Sequence, residues 1–538
     1  MYAVSLTRSH FPAQTDDDVL GTTIPSVLAE AANETPRAIA LIEADARGET
    51  GRRWSYEELE RDTTKLARAL CTRFVPGERI AIWAPNLPEW VMVEFAAAAA
   101  GLTLVTVNPA YQAKELAFVL EQSRSVGVFL TREFRGNPMA EIARQVCAEL
   151  PAVRHVCDIQ DHEQLFSGQS APGALPDIAS EHPVQIQYTS GTTGFPKGAV
   201  LTHRGLTNNA RFTLNRLGVP EGSAYLNFMP MFHTAGCSIA VLGAVQKRAK
   251  LILARQFEGK GMNGLIESER VGAIMGVPTM LIGMLEALER EPRDVSSLSA
   301  AMSGGAMVPP ELLRRFEERF DCRLSIIYGQ TETSPVITQT RLDDLPSDKS
   351  ETVGQPLPQT EISIRSIETN EVAPIGEVGE ICSRGYCNMI SYNDNPEATT
   401  RTIDTDGWLH TGDLGSMDGR GFVRVTGRLK DMIIRGGENL FPAEIENVLL
   451  EHPAVAEVAV VGVPDERWGE IAVCFVRPAE GASPSRDSLV AHCRKELAAP
   501  KTPAHFIAVE AFPLTASGKI QKFVLRERFV AGAYPARL

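Results

Sequence analysis

Along most of the chain, short apolar runs ending in glycine, proline or another turn residue alternate with stretches whose apolar residues recur at helical spacing. "RIAIWAP" and "GLTLVTVNP" read as buried strands on either side of the helical "EWVMVEFAAAAA", a strand-helix-strand unit typical of a mainly parallel sheet. The alternation continues through "LNFMPMFHTAG", "KLILAR", "AIMGVP", "SAAMSGGA" and "LSIIYG", with helical stretches such as Pro310–Phe320 between them. An earlier helix opens at "WSYEEL", where Ser55 caps, Glu58 closes a capping box, and Leu59, Leu66 and Leu70 share a face. Polar stretches at 158–183 and 340–353 read as loops.

Beyond "FVRVTGRLKDMIIRGGENLFP" the pattern becomes a compact α+β one. Pro442 starts a helix with Ile445, Val448 and Leu449 inward, "AEVAVVGV" and "EIAVCFVR" read as strands, and helices are expected near 487–497 and 521–529. The expected fold class is therefore α/β. A large N-terminal domain of layered, mainly parallel sheets with helices spans 1–429, and a small α+β C-terminal domain spans 430–538.

Composition narrows the function classes. A chain of 538 residues exceeds what one core holds. Its 44% hydrophobic and 22% charged residues are ordinary for a globular protein, and no apolar run approaches the ~20 residues of a membrane span. The nearest, 95–107, breaks at Gly101 and suits a buried helix followed by a strand. A net charge of -14 argues against general nucleic-acid affinity, so an anionic ligand has to be met by local donors. Nine cysteines without a CxxC pair read as reduced thiols, and "MYAVSLTRSHFPAQTDDD" lacks the apolar core of a signal peptide, so a cytoplasmic enzyme is expected.

The stretch "YTSGTTGFPKGAVLTH" at 188–203 supplies such donors. The usual phosphate loop ends in Gly-Lys-Ser/Thr and opens a helix. Here Pro196 precedes Lys197, and 199–202 read as a strand, so the loop is expected to join two strands. Thr189, Ser190, Thr192 and Thr193 offer hydroxyls, Lys197 a charge, and Gly191, Gly194 and Gly198 close backbone approach. A polar connector with a solvated lysine is the bland alternative.

Four further motifs follow in order: "YGQTETSP" at 328–335, "GWLHTGDLG" at 407–415, "GRLKDMIIRGGENLFPAEIE" at 427–446 and "PLTASGKIQK" at 513–522. With these the chain resembles, over roughly 25–526, the adenylate-forming (AMP-binding) superfamily of acyl-CoA synthetases, beetle luciferases and nonribosomal adenylation domains. The text around "PMFHTAGC" and "KDMIIRGGENLFPAEIE" is most similar to medium-chain fatty acyl-CoA synthetases. The resemblance implies a Mg²⁺-dependent reaction of a carboxylic acid with ATP to acyl-AMP and pyrophosphate, followed by thioester formation with CoA. A luciferase-like oxygenase and a carrier-protein-loading enzyme share these motifs. A nucleotide-binding regulator with a degenerate site would lack Lys519, Glu332 or Asp413, and all three are present.

Site residues carry over by motif. Thr189, Ser190, Gly191, Thr192, Thr193, Gly194 and Lys197 would meet phosphates. Tyr328 and Gly329 would lie at adenine, with Gly304, Gly305 and Ala306 across its other face. Thr331 and Glu332 would contact the α-phosphate and Mg²⁺, and Asp413 and Arg428 the ribose. Lys519, favoured over Lys522 by its Gly-Lys pairing, would bridge carboxylate and α-phosphate during adenylation. Lys430 would be the hinge of a mobile small domain, and Gly436 and Gly437 would line the CoA tunnel.

His233 would stand at the acyl pocket, as a gate and candidate catalytic residue. Met229, Phe232, Thr234, Gly236, Val277, Ser303, Gly304 and Met307 would complete that pocket. "MFHTAGC" lacks the aspartate of amino-acid-activating relatives, so a medium-chain fatty acid leads, with aromatic, alicyclic and sterol-side-chain acids open. Gly236 and Ala235 are expected to leave room for acyl length. The expected partners are the acid, ATP and CoA, with no nucleic acid and no integral membrane association; a homodimer is an open assembly.

Overall fold

The computed structural model describes all residues except 169–173, 190–195, 437, 515–519 and 535–537. The chain divides into two units, the first comprising Phe11–Ile362 with Ser383–Leu409, the second Tyr2–His10, Ser363–Cys382 and His410–Leu538. The fold is mixed α/β, with a large N-terminal domain of mixed sheets and a smaller C-terminal domain.

Two mainly parallel sheets build the first unit. One has seven strands in the order Ser391–Tyr392, Lys197–Thr202, Pro183–Thr189, Thr103–Val107, Arg79–Trp83, Gly127–Leu130, His155–Asp158. The other has nine, in the order Gln355–Pro356, Val336–Gln339, Arg323–Gly329, Ala300–Gly304, Ala273–Met275, Ala224–Asn227, Lys250–Ala254, Ile39–Ala44, Thr50–Ser55. Pairing is parallel through the middle of each, antiparallel at both edges of the larger sheet and at the Ser391–Tyr392 edge of the smaller, whose other edge strand, His155–Asp158, pairs parallel. One apolar core joins the inner faces of both sheets to helices Ile24–Glu34, Tyr56–Cys71, Pro88–Ala99 and His203–Arg216. Helices Gly259–Glu269, Pro278–Arg290 and Pro310–Phe320 cover the outer face of the larger sheet, and Ala113–Ser123 and Met139–Glu149 that of the smaller.

The helix after Ser55 has the expected capping box, with Leu59, Leu66 and Leu70 buried. The apolar run at 95–107 does break, Gly101 taking φ +70° between the fully buried helix Pro88–Ala99 and the strand Thr103–Val107. Two expectations need correction. The stretches read as loops contain short helices, His162–Leu165 and Pro346–Glu351, because single turns leave too few residues to show a helical period.

A further sheet runs His10–Phe11, Thr360–Arg365, Gly379–Gly385, Leu409–Met417, Val423–Arg428. The C-terminal sheet runs Glu438–Leu440, Ile433–Arg435, Gly469–Pro478, Val455–Asp465, with His505–Ala508 also on Gly469–Pro478. Its residues alternate by face. Val458, Val460, Cys474 and Val476 turn toward helices Pro442–Leu450 and Arg486–Glu496, whereas Ala459, Val461, Val473 and Phe475 share a core with Leu525 of helix Lys522–Val530. Among the described residues no helix is long and apolar enough to cross a membrane.

Candidate active site

The glycine-rich segment joins two strands. Pro183–Thr189 and Lys197–Thr202 pair antiparallel with Thr189 opposite Lys197, and Thr189 Oγ1 donates to the Lys197 carbonyl at 3.3 Å. Ser190, Gly191, Thr192, Thr193 and Gly194 lie outside the described residues. Gly198 has a packing reason of its own, since a Cβ there would come within 2.7 Å of Ile186 Cγ2 and 3.2 Å of the Tyr188 ring.

The turn carrying Thr331 and Glu332 is drawn to this hairpin through Ser391–Tyr392. That strand pairs with Ala199 and Val200, and Asn393 N–H donates to the Gly198 carbonyl at 2.7 Å. Met389 N–H donates to the Glu332 carbonyl at 2.7 Å, and the Tyr392 hydroxyl to Glu332 Oε1 at 2.6 Å. Lys197 Nζ lies 4.9 Å from the centre of the same tyrosine ring, within cation–π range. Thr331, Glu332 and Lys197 are thus brought together, with Thr331 and Glu332 buried and Lys197 half-buried. Burial and the adjoining carboxylate hold the Tyr392 phenol well above its ordinary pKa, so it remains a donor.

Tyr328 is the penultimate residue of the strand Arg323–Gly329 and is half-buried. Its neighbour must be glycine, because a Cβ at Gly329 would sit 1.9 Å from the Pro335 carbonyl oxygen. A Cβ at Gly304 would sit 2.4 Å from the Ile327 carbonyl oxygen on the adjacent strand. Gly305, at φ +76°, and Ala306 are exposed beyond it. Met307 is 44% exposed, whereas Ser303, Val277 and Met229 are buried.

The segment with His233 is held by hydrogen bonds to its backbone. Asn86 Nδ2 donates to the Met229 carbonyl at 2.9 Å and Thr106 Oγ1 to the Phe232 carbonyl at 2.9 Å, while Asn86 Oδ1 accepts from Met231 N–H at 2.8 Å. His233 Nδ1 accepts the Ala235 N–H at 3.2 Å, which selects the tautomer protonated on Nε2. Ala235–Leu242 then winds as a π-helix, a rare form concentrated at functional sites. The expected room at Gly236 is absent: a Cβ there would lie 2.3 Å from the Pro230 carbonyl oxygen and 2.9 Å from that of Met229. Its glycine serves the turn into the helix. Thr234 Oγ1 and Ser303 Oγ are buried without a hydrogen-bond partner among the described residues.

Beside this segment lies a buried polar chain that the sequence reading missed. Gln185 Nε2 donates to Glu94 Oε1 at 2.7 Å, Gln187 Nε2 to Gln185 Oε1 at 2.7 Å and to Cys237 Sγ at 3.2 Å. Desolvation raises the Glu94 pKa well above the carboxylate range and that of Cys237 above the thiol range, so both are neutral. A lone acid inside the apolar run "WVMVEFAAAAA" was the available signal. Tyr392, within polar "SYNDNPE", gave none.

In the second unit Asp413 and Arg428 are cross-strand partners, with Arg428 Nε 3.1 Å from Asp413 Oδ1. Asp413 is buried and Arg428 exposed. Lys430 lies exposed in the single turn Leu429–Asp431. Gly436 takes φ +60°, donates its N–H to the Trp468 carbonyl at 2.7 Å, and leaves only 2.9 Å between a would-be Cβ and the indole. Gly437 and Lys519 lie outside the described residues, the latter between the bridging pair Leu514 and Ile520. Lys522 is committed elsewhere, its ammonium 2.5 Å from Glu446 Oε1.

Residues 28–393 match the family model described as AMP-binding enzyme, and residues 444–519 the AMP-binding enzyme C-terminal domain. The chain is 34% identical to the mitochondrial medium-chain acyl-CoA ligase ACSF2 of Rattus norvegicus, across 97% of this chain and 89% of that one. Among solved structures it is similar to ATP-bound MatB from Rhodopseudomonas palustris, with 27% identity, TM-score 0.85 and coverage of 95% and 99% of the two chains. It is also similar to the Bacillus subtilis o-succinylbenzoate CoA synthetase MenE in complex with its acyl-adenylate intermediate, with 30% identity, TM-score 0.80 and coverage of 95% and 98%.

Proposed function

The chain belongs to the AMP-binding enzyme family and is an acyl-CoA synthetase, and on that premise we propose that the acid it activates is an apolar monocarboxylic acid of medium chain length. One observation carries this reading: no charged side chain stands among Met229, Phe232, His233, Thr234, Gly236, Val277, Ser303, Gly304 and Met307 to meet a second polar group on the substrate. The name of the rat relative, a medium-chain acyl-CoA ligase, supports it.

In the proposed reaction a carboxylate oxygen attacks the α-phosphorus of ATP, an acyl-O-phosphorus bond forms and pyrophosphate leaves. The thiol of CoA then attacks the acyl carbon, the acyl-O bond breaks and AMP leaves with that oxygen. Lys197 with the hydroxyls of 189–193 would meet the leaving phosphates, and Lys519 would stabilise the charge that builds as two anions approach. Asp413, with Arg428 beside it, suits the vicinal ribose diol. Lys430 would be the hinge between domains of 1–429 and 430–538, and Gly436 and Gly437 would flank the entry of the CoA arm.

The buried carboxylate of Glu332 and hydroxyl of Thr331 are hard oxygen donors that fit Mg²⁺, with ATP and water to complete its coordination. When bound, Mg²⁺ would neutralise phosphate charge. Cysteine usage supports a reducing compartment, the cytoplasm.

The test is kcat/KM for CoA- and ATP-dependent AMP release across straight-chain acids from butyric to palmitic, with benzoate and an amino acid included. A maximum at medium length is expected. A preference for the amino acid or for benzoate would overturn the assignment.

A further inference from the structure

Glu380, Cys382 and His410 bring a carboxylate, a thiol and an imidazole to one point in the second unit. Glu380 and Cys382 are two residues apart on the strand Gly379–Gly385 and so share a face, and His410 is on the neighbouring strand Leu409–Met417. His410 Nδ1 is 2.7 Å from Glu380 Oε2 and 3.5 Å from Cys382 Sγ, and the three groups lie within 4.8 Å of one another. Cys382 is buried and the other two are half-buried.

Cys382 Sγ also reaches the Glu380 carbonyl at 3.8 Å, and a metal ion would take a lone pair from the carboxylate, the thiolate and the imidazole together. Around a tetrahedral zinc ion, ligand atoms stand roughly 3.4–3.7 Å apart, within the range that the three groups span here, from 2.7 Å to no more than 4.8 Å. The carboxylate is also oriented from behind, because Glu380 Oε1 accepts the Gly412 N–H at 2.9 Å.

We propose that Glu380, Cys382 and His410 form a binding site for a divalent cation of the zinc class. Thiolate and imidazole select such an ion over Mg²⁺, so the site is independent of the metal that accompanies ATP. Binding releases the Cys382 thiol proton and leaves the imidazole protonated on Nε2. Three protein ligands keep a fourth position for water or an external ligand. The site lies three residues before Asp413 on the same strand.

The full chain, stripped with a chelator, is titrated with Co²⁺ as a spectroscopic probe and with Zn²⁺ against a chromophoric chelator. One equivalent should bind with a sulfur-to-cobalt charge-transfer band that Zn²⁺ abolishes and Mg²⁺ does not. Cys382→Ser should remove the band, and Glu380→Gln and His410→Gln should each weaken Zn²⁺ binding by at least about tenfold. Cys71→Ser, at an exposed thiol, should leave the band unchanged. No stoichiometric band in the native chain would overturn the site, as would a band that survives Cys382→Ser or is lost with Cys71→Ser. Should Cys382→Ser not fold, undiminished Zn²⁺ affinity in both Glu380→Gln and His410→Gln would overturn it equally.

Discussion

The Tyr392 hydroxyl donates to Glu332 Oε1 across 2.6 Å, fixing one oxygen of a buried carboxylate while Lys197 lies over the tyrosine ring. Tyr392→Phe keeps the ring and removes the donor. A hydrogen bond to a charged group is worth about 1.5–3 kcal/mol, so adenylation should slow by roughly 10- to 100-fold. The Mg²⁺ concentration for half-maximal pyrophosphate exchange should rise if Glu332 holds the ion. An unchanged rate and Mg²⁺ dependence would remove Tyr392 and Glu332 from that role.

Glu94 should set a pH dependence of stability. Its folded pKa is raised by burial, so above the unfolded value near 4.5 the native state keeps a proton that the unfolded state releases. Stability therefore falls as pH rises above that value, by at most about 1.4 kcal/mol per unit from this one group. Glu94→Gln is neutral in both states and removes the fall. Its melting temperature should gain on the parent as pH rises above about 5; a constant difference would show Glu94 ionised in the fold.

Gly236→Ala forces a methyl against the carbonyls of Met229 and Pro230 and should lower stability by about 1–3 kcal/mol, read in urea unfolding. Rates with short and long acids should fall together. Selective loss of long acids in a stable variant would instead place that Cβ in the path of the acyl chain.

For Lys519→Ala the expectation is a loss of at least about a hundredfold in adenylation, the usual effect of deleting a contact to transition-state charge. Supplied acyl-AMP should still react with CoA. Equal losses in the two half-reactions would make the lysine structural or shared between them.

The parallel cores and the hairpin at 183–202 were legible because apolar runs bounded by turn residues mark strands locally. The π-helix Ala235–Leu242 was not: eight residues apolar or small throughout carry no period to distinguish its winding. Likewise, the part played by Tyr392 depends on the pairing of Ser391 with Val200, a contact across 191 positions that no local pattern encodes. Gly198, Gly236 and Gly304 are needed for packing, a reason sequence could not separate from a ligand's demand, since a glycine needed for either looks the same.

The register of Thr189 against Lys197 fixes both ends of the connection between these two strands. Cross-strand partners stand only about 4.5–5.5 Å apart, and the sheet holds both ends whatever the segment between them contains. Lengthening such a connection by a residue or two adds well under 1 kcal/mol of closure entropy. If the loop meets the phosphates as proposed, segments from relatives grafted here would re-tune nucleotide affinity and pyrophosphate departure while the segment at 229–237, proposed to line the acyl pocket, stays as it is.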